Sequence, residues 1–181
     1  MPIYQLDGSA PRIHPTAFIH PDAVLIGNVA IGAQSSVWPG AVLRADFGKI
    51  CIGSRTSIQD GTVIHTTRQW PTIIGDECVV GHNTHLEGCT IEGRCLIGSG
   101  SVTLNRAVVG RGSIVGAQAL VAEDFQVPAG SMVLGVPARV RGPIDNTAWI
   151  EHGVDEYVAA AEHYLRHLTP VSLTECRTDE R

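Results

Sequence analysis

The sequence has few aromatic residues, few lysines and no long apolar run, and each shortage excludes a class of protein. Aromatic residues make up only 5% of the 181 residues, so a core has to be built from Val, Ile, Leu and Ala. Lys49 is the only lysine, and the net charge is −5. The arginines are scattered and do not form the basic patch typical of nucleic-acid binding. We therefore expect no nucleic-acid partner.

Membrane and secretion signals are also lacking. No segment approaches the roughly 18 consecutive apolar residues of a transmembrane helix, so we expect no membrane partner. The opening residues have neither the basic start nor the apolar stretch of a signal peptide. The five cysteines are odd in number, and none forms a C-x-x-C pair. These features predict a cytoplasmic protein with reduced thiols.

Aliphatic residues recur every six positions between Ile13 and Val133, and this repeat decides the fold class. The register slips between Leu43 and Ile52, a four-residue insertion follows Ile64, and the spacing shortens by one before Ile91. A small residue stands four positions after most of them, and glycine often follows directly. A period of six fits neither a 3.6-residue helix nor an alternating strand. It is typical of a left-handed parallel β-helix, a triangular prism in which three hexapeptides form one coil of 18 residues. The sequence thus predicts a mainly β protein of about seven coils.

The chain divides into three predicted parts. Residues 1–144 form the β-helix domain. In 145–170, apolar residues from Val154 to Leu168 recur at spacings of three and four, which predicts a C-terminal α-helix packed on the prism. Residues 171–181 are mostly polar and are expected to form a tail.

The repeat also brings candidate metal ligands together. His65 and Glu87 each follow an aliphatic repeat residue, one coil plus a four-residue insertion apart, so they should stack about 4.8 Å apart on adjacent coils. His82 falls at another phase of the repeat, on another wall, and could join them only from a neighbouring subunit of a trimer. Two histidines and a carboxylate suit Zn²⁺ with an open position for water, or Fe²⁺. The competing interpretation is surface histidines on a polar wall.

The motifs around these residues resemble those of the gamma-class carbonic anhydrases. They are Arg44-Ala45-Asp46, Ile58-Gln59-Asp60-Gly61, His65, the stretch from Gly81-His82 to Gly88-Cys89, and Gly135-Val136-Pro137-Ala138-Arg139. The resemblance covers the prism and the C-terminal helix. It implies a homotrimer that binds zinc at its interfaces, with Fe²⁺ or Co²⁺ as alternatives. It also implies a carbonate dehydratase that interconverts CO₂ and bicarbonate through a metal-bound hydroxide.

The resemblance also assigns roles to individual polar residues. Gln59 matches the residue that positions the metal-bound hydroxide, and Asp60 matches a carboxylate beside it. Arg44 and Asp46 match an ion pair that links subunits near the site. The alternative for Arg44, Asp46 and Asp60 is a purely structural role in trimer contacts.

The metal ligands match the family only in part. His65 and His82 match two of its three zinc-binding histidines. The third position holds Glu87, with His85 two residues earlier. Glu87 can itself bind zinc, and we expect it to be the third ligand. His85 is the alternative, because residues two apart on a strand point to the same face.

Other departures concern proton transfer. Phe47 stands where the best-known active members carry a glutamate, the loop 66–72 contains no acid, and Ser57 replaces a frequent asparagine. A Glu ligand also weakens the metal as a Lewis acid, so we expect a slow enzyme whose activity is shifted to alkaline pH.

Two other functions remain open. One is a metal-binding trimer without hydratase activity, which acts as a scaffold, a binding module or a small-molecule hydrolase. The other is a hexapeptide acyltransferase that uses acyl-CoA with a histidine as general base.

Overall fold

The computed structural model describes residues 2–145 and 147–176, apart from the side chains of Thr147, Glu175 and Cys176. The chain forms a parallel β-solenoid of about seven coils followed by one long α-helix, which confirms the predicted left-handed β-helix. Residues 177–181, half of the expected tail, lie outside the described residues.

Most strands are only two or three residues long, because a corner of the prism follows after every six residues. Two strands, β4 and β6, are longer and run through a corner. The elements are β1 (Ile3–Tyr4), β2 (Arg12–Ile13), β3 (Phe18–Ile19), β4 (Val24–Ile31), β5 (Ser36–Val37), β6 (Val42–Ile52), β7 (Ser57–Ile58), β8 (Val63–His65), β9 (Thr72–Ile74), β10 (Val79–Val80), β11 (His85–Glu87), β12 (Thr90–Ile91), β13 (Leu96–Ile97), β14 (Val102–Thr103), β15 (Val108–Val109), β16 (Ile114–Val115), β17 (Leu120–Val121), β18 (Gln126–Val127), β19 (Ser131–Leu134), β20 (Arg139–Pro143), α1 (Thr147–His167) and α2 (Leu173–Cys176).

The repeat residues pair in register as three stacked columns, one for each wall of the prism. The first wall stacks Ile13, Ile31, Ile52, Ile74, Ile91, Val109 and Val127. The second wall stacks Ile19, Val37, Ile58, Val80, Ile97, Val115 and Val133. The third wall stacks Leu25, Leu43, Ile64, Leu86, Thr103 and Val121. All of them except Ile13 are buried. Their side chains fill the interior, and each large aliphatic contributes about 1.5–3 kcal/mol by its burial.

Glycine serves two different purposes in this prism. A β-carbon at Gly98 would lie 2.4 Å from the backbone nitrogen of Ala117 in the next coil. Gly98 is therefore required by the close approach of two coils. Gly112 has a φ of +71°, and no atom lies within 4 Å of a β-carbon built at this residue. Gly112 is therefore favoured only by its left-handed backbone.

This difference predicts unequal effects of the same substitution. We expect Gly98→Ala to lower the free energy of unfolding by about 3 kcal/mol, because the coils have to move apart. We expect Gly112→Ala to lower it by about 1 kcal/mol, through backbone strain alone. Urea denaturation followed by circular dichroism measures both. Equal losses would show that coil spacing does not depend on Gly98.

Helix α1 packs along the second wall. Ile150 and Val154 are buried against Val79 and Ile114 of the wall. Among the described residues, no helix is long and apolar enough to cross a membrane. By packing on the second wall, α1 covers part of one face of the prism.

Most aromatic side chains lie outside the prism interior, and the half-buried Phe125 is an exception that packs against the core. Trp38 packs edge-on against Tyr157 and Tyr164 of α1, with ring centroids 6.0 and 5.1 Å apart. Trp70, in the loop after β8, lies under the guanidinium of Arg106 at 4.3 Å. Aromatic residues therefore fix the helix and the loop to the prism, while aliphatic residues fill its interior.

Candidate functional site

The candidate residues of the third wall lie where the repeat is interrupted. Arg44 of β6 pairs in register with His65 of β8, and His65 pairs with Glu87 of β11. The hexapeptide after Arg44 is three residues longer than its equivalents, and the one after His65 is four residues longer. The first insertion begins after Ala45, and the second begins directly after His65. The stacking expected for His65 and Glu87 is therefore present in the structure.

The imidazole of His65 lies between two carboxylates. Its Nδ1 is 3.1 Å from Oε1 of Glu87, and its Nε2 is 2.9 Å from Oδ1 of Asp46. The other oxygen of Asp46 accepts a hydrogen bond from Arg44. Burial raises the pKa of Asp46, but the hydrogen bonds from His65 and Arg44 outweigh it and hold that pKa below its ordinary value. Asp46 is therefore ionised at neutral pH, and its charge fixes one edge of the ring.

The insertions cover one side of His65. The ring of Phe47 meets the imidazole edge-on at 6.0 Å, and the guanidinium of Arg68 lies 5.3 Å from the Phe47 centroid. The hydroxyl of Thr72 donates to the carbonyl of His65 and accepts from the N–H of Gly88 at 2.8 Å. This side chain joins the two coils that carry His65 and Glu87. Thr72 thus fixes the backbone at His65, and Phe47 partly shields the imidazole from water.

His85 and Glu87 occupy the same outer face of β11, with Leu86 buried between them. Nε2 of His85 is 3.4 Å from Oε2 of Glu87. Of these two candidate ligands, Glu87 is the one that contacts His65. We name Arg44, Asp46, His65, His85 and Glu87 the third-wall cluster.

A second group of candidate residues lies on a different wall. Gln59 and His82 follow strands β7 and β10 of the second wall. Nδ1 of His82 is 2.9 Å from Oδ2 of Asp60, and both side chains are 49% exposed. We name Gln59, Asp60 and His82 the second-wall cluster. Within one chain, the structure separates His82 from His65, as the phase of the repeat predicts.

The donor types fit zinc, but the described residues of one chain do not bring three of them to one point. Among residues 2–145 and 147–176, no three His, Cys, Asp or Glu side chains are placed to hold a metal ion. The reason is that Asp46 and Glu87 contact opposite nitrogens of His65 and do not converge on one point. An imidazole with one carboxylate as a ligand and another orienting the ring is a common arrangement at zinc. His82 has a comparable arrangement, since Asp60 contacts Nδ1 and leaves Nε2 for a metal.

Sequence reasoning missed two features of these clusters. It did not foresee that Asp46 contacts His65 as well as Arg44. It also did not foresee that α1 brings Trp149 and Tyr157 beside Gln59. Both depend on how far an insertion or a helix reaches across a wall, which residue spacing does not reveal.

Comparisons with known proteins agree with this architecture. The chain is 39% identical to the carnitine operon protein CaiE of Escherichia coli over 159 residues, which cover 87% of this chain and 81% of that protein. It is 36% identical to the mitochondrial gamma carbonic anhydrase 1 of Arabidopsis thaliana over 92% of this chain, but spans only 64% of that protein. A crystal structure described as a putative acetyltransferase from Bacillus cereus superposes with a TM-score of 0.88 at 33% identity, covering 90% of this chain and 95% of the other. No family model matches the sequence.

Proposed function

The chain belongs to the hexapeptide-repeat proteins related to the gamma carbonic anhydrases, and from this premise we propose that it is a zinc-dependent carbonate dehydratase. The observation that carries the proposal is the stack of His65 on Glu87, at 3.1 Å, with Asp46 on the opposite edge of the ring. This stack supplies one nitrogen and one oxygen ligand to Zn²⁺. Fe²⁺ and Co²⁺ bind the same ligand types and are the alternatives. A cytoplasmic location is part of the proposal.

The second-wall cluster supports a homotrimer. His82 and His65 lie on different walls of one prism, so a complete site needs the second-wall cluster of one subunit beside the third-wall cluster of another. A closed ring of three equivalent interfaces satisfies both clusters of every subunit. The interface would then hold two histidines, Glu87 and an open position.

The residues of both clusters have distinct tasks in this proposal. His65, His82 and Glu87 would hold the divalent ion, which would supply a nucleophile for CO₂ by lowering the pKa of water. Asp46 and Asp60 orient the two imidazoles through their other nitrogens. The carboxamide of Gln59 can donate and accept hydrogen bonds, so it suits CO₂ and bicarbonate alike. Phe47 keeps one side of the site apolar.

Metal content per subunit tests the ligand set. For protein purified without chelator or histidine tag, we expect about one zinc per subunit, as the proposed C₃ symmetry requires. Glu87→Ala should lose most of it, because an open coordination position replaces a charged ligand. His85→Ala should retain it, and so should the control His14→Ala, which changes a histidine of the first coils.

Two outcomes would change the proposal. Loss of zinc in His85→Ala but not in Glu87→Ala would make His85 the third ligand. A wild-type trimer without metal would contradict the dehydratase and leave a protein scaffold.

A metal-binding trimer without hydratase activity is the second candidate function. It is favoured by Glu87 at the third ligand position, by Phe47 beside His65 and by the loop 66–72, which contains no acid. Zinc binding without measurable CO₂ hydration would support it.

An acyltransferase is the third candidate, and the similarity to the putative acetyltransferase from Bacillus cereus is consistent with it. Acyl-CoA turnover that is lost in His82→Ala would favour that function.

A further inference from the structure

A groove lies between the second wall and the first half of α1. It has a volume of about 290 Å³. The lining residues on which the argument depends are Gln59, Val79, His82, Trp149, Gly153 and Tyr157. CO₂ would occupy only a small part of this space, which is large enough for roughly ten water molecules at about 30 Å³ each.

Gln59 provides an unpaired polar group in this groove. The residue as a whole is 4% exposed. Its carboxamide has no hydrogen-bond partner among the described residues, and it is not one of the fully buried groups left without a partner, so it reaches the open space of the groove. Because Gln59 lines the groove, a ligand in the groove can satisfy this amide.

Gly153 keeps the groove open. It lies inside α1, where glycine is less favourable than alanine. A β-carbon at this position would lie 3.7 Å from Cγ2 of Val79, which is an ordinary contact. Packing of the helix on the wall therefore does not require glycine here, and the missing side chain leaves space in the groove that Gly153 lines.

The groove favours a ligand without net charge. None of the described residues that line it is Asp, Glu, Lys or Arg. Asp60 is close by, bound to His82. Burial and then the charge of Asp60 raise the pKa of Tyr157, so the field of this carboxylate reaches the groove and opposes an anion. The rings of Trp149 and Tyr157, with Val79, provide apolar contact area.

We propose that this groove binds a neutral carbonyl compound with an aromatic or branched apolar body. The carbonyl or amide of the ligand pairs with the carboxamide of Gln59, which both donates and accepts. The apolar body lies between Trp149, Tyr157 and the wall. The position of this carbonyl beside the metal rests on the proposed function, because His82 is a ligand only in that proposal; binding in the groove does not depend on it.

Benzamide is the probe that tests this proposal. Isothermal titration calorimetry on the full-length protein should give a Kd of about 1 mM, as expected for nine heavy atoms. Gly153→Leu should weaken binding at least about tenfold, because its side chain fills the groove. Ala159→Leu is the matched control, since it adds a Leu side chain at an exposed position of the same helix and should leave the Kd unchanged.

Two further sets of titrations test the hydrogen bond to Gln59 and the charge of the ligand. Gln59→Met should weaken benzamide about tenfold, by loss of the hydrogen bonds with little change in size. Benzoate and benzylamine should each bind at least about tenfold more weakly than benzamide, because a full charge would be buried. All titrations are repeated after removal of metal with a chelator, and benzamide binding should persist.

Failure of this inference can be told apart from failure of the dehydratase proposal. Absence of benzamide binding at about 10 mM would overturn the groove assignment, whatever the zinc content. Tighter binding of benzoate would overturn the assignment of a neutral ligand. Binding that disappears with the metal and is unaffected by Gly153→Leu would place the probe at the metal and not in the groove. Absence of zinc with normal benzamide binding would contradict only the dehydratase.

Discussion

Two variants that have each lost zinc are expected to regain it when they are combined in one trimer. His65→Ala and His82→Ala each remove one ligand from all three interfaces, so neither homotrimer should retain more than traces of zinc. In the proposed trimer, His65 of one subunit meets His82 of the next. Any trimer that contains both variants therefore has one interface with both histidines intact, whichever variant is in the majority.

The size of the effect follows from counting. With equal expression and random assembly, about three quarters of the trimers are mixed, and each has one intact site of three. Zinc per subunit, and any CO₂ hydration, should therefore return to about a quarter of the wild-type value. Elemental analysis of coexpressed protein measures this, with either variant expressed alone as the control. Zinc that stays at trace levels would show that the two histidines do not bind across an interface.

The largest gain of activity is expected from Glu87→His. This change replaces an anionic ligand with a neutral imidazole, which raises the net charge of the site by one. We expect CO₂ hydration at neutral pH to rise at least about tenfold, within the range known for changes around a metal. The midpoint of the pH–rate profile should move to lower pH, since the removed charge had opposed loss of a proton at the metal. Stopped-flow assays across the neutral and alkaline range measure both effects.

The matched control for this prediction is Glu87→Gln. It removes the same charge at nearly the same size but supplies a poor zinc ligand, so zinc content should fall and no activity should be gained. A pH–rate midpoint that is the same in Glu87→His and wild type, with zinc retained in both, would show that Glu87 is not a ligand. Absence of hydration in both zinc-loaded proteins would favour the metal-binding trimer.

The period of six predicts the prism because each coil is in contact only with its neighbours. Every aliphatic repeat residue from Ile13 to Val133 is paired in register with its equivalent one coil away, even where the spacing changes to 21, 22 or 17 residues. The sequence does not predict the antiparallel strand β20, which pairs with β19 at the last coil. That strand depends on a chain reversal outside the repeat.

The candidate site is less predictable than the fold, because it lies at the interruptions of the repeat. The stacking of His65 on Glu87 follows from counting residues, and the separate wall of His82 follows from its phase. The contact of Asp46 with His65 does not, because it depends on the path of the three extra residues after Arg44. The roles of the site residues and the choice between Glu87 and His85 stay predictions, because both of these side chains share one face.

The position of all three tryptophans outside the prism interior has a consequence for spectroscopy. The three tryptophans report on three different places: Trp38 on the contact with α1, Trp70 on the loop held by Arg106, and Trp149 on the groove, where it is 57% exposed. Intrinsic fluorescence therefore responds to changes at these three peripheral contacts. Far-ultraviolet dichroism, which is dominated by backbone structure, follows the coils and the helix. The difference between the two signals separates undocking of the periphery from unfolding of the prism.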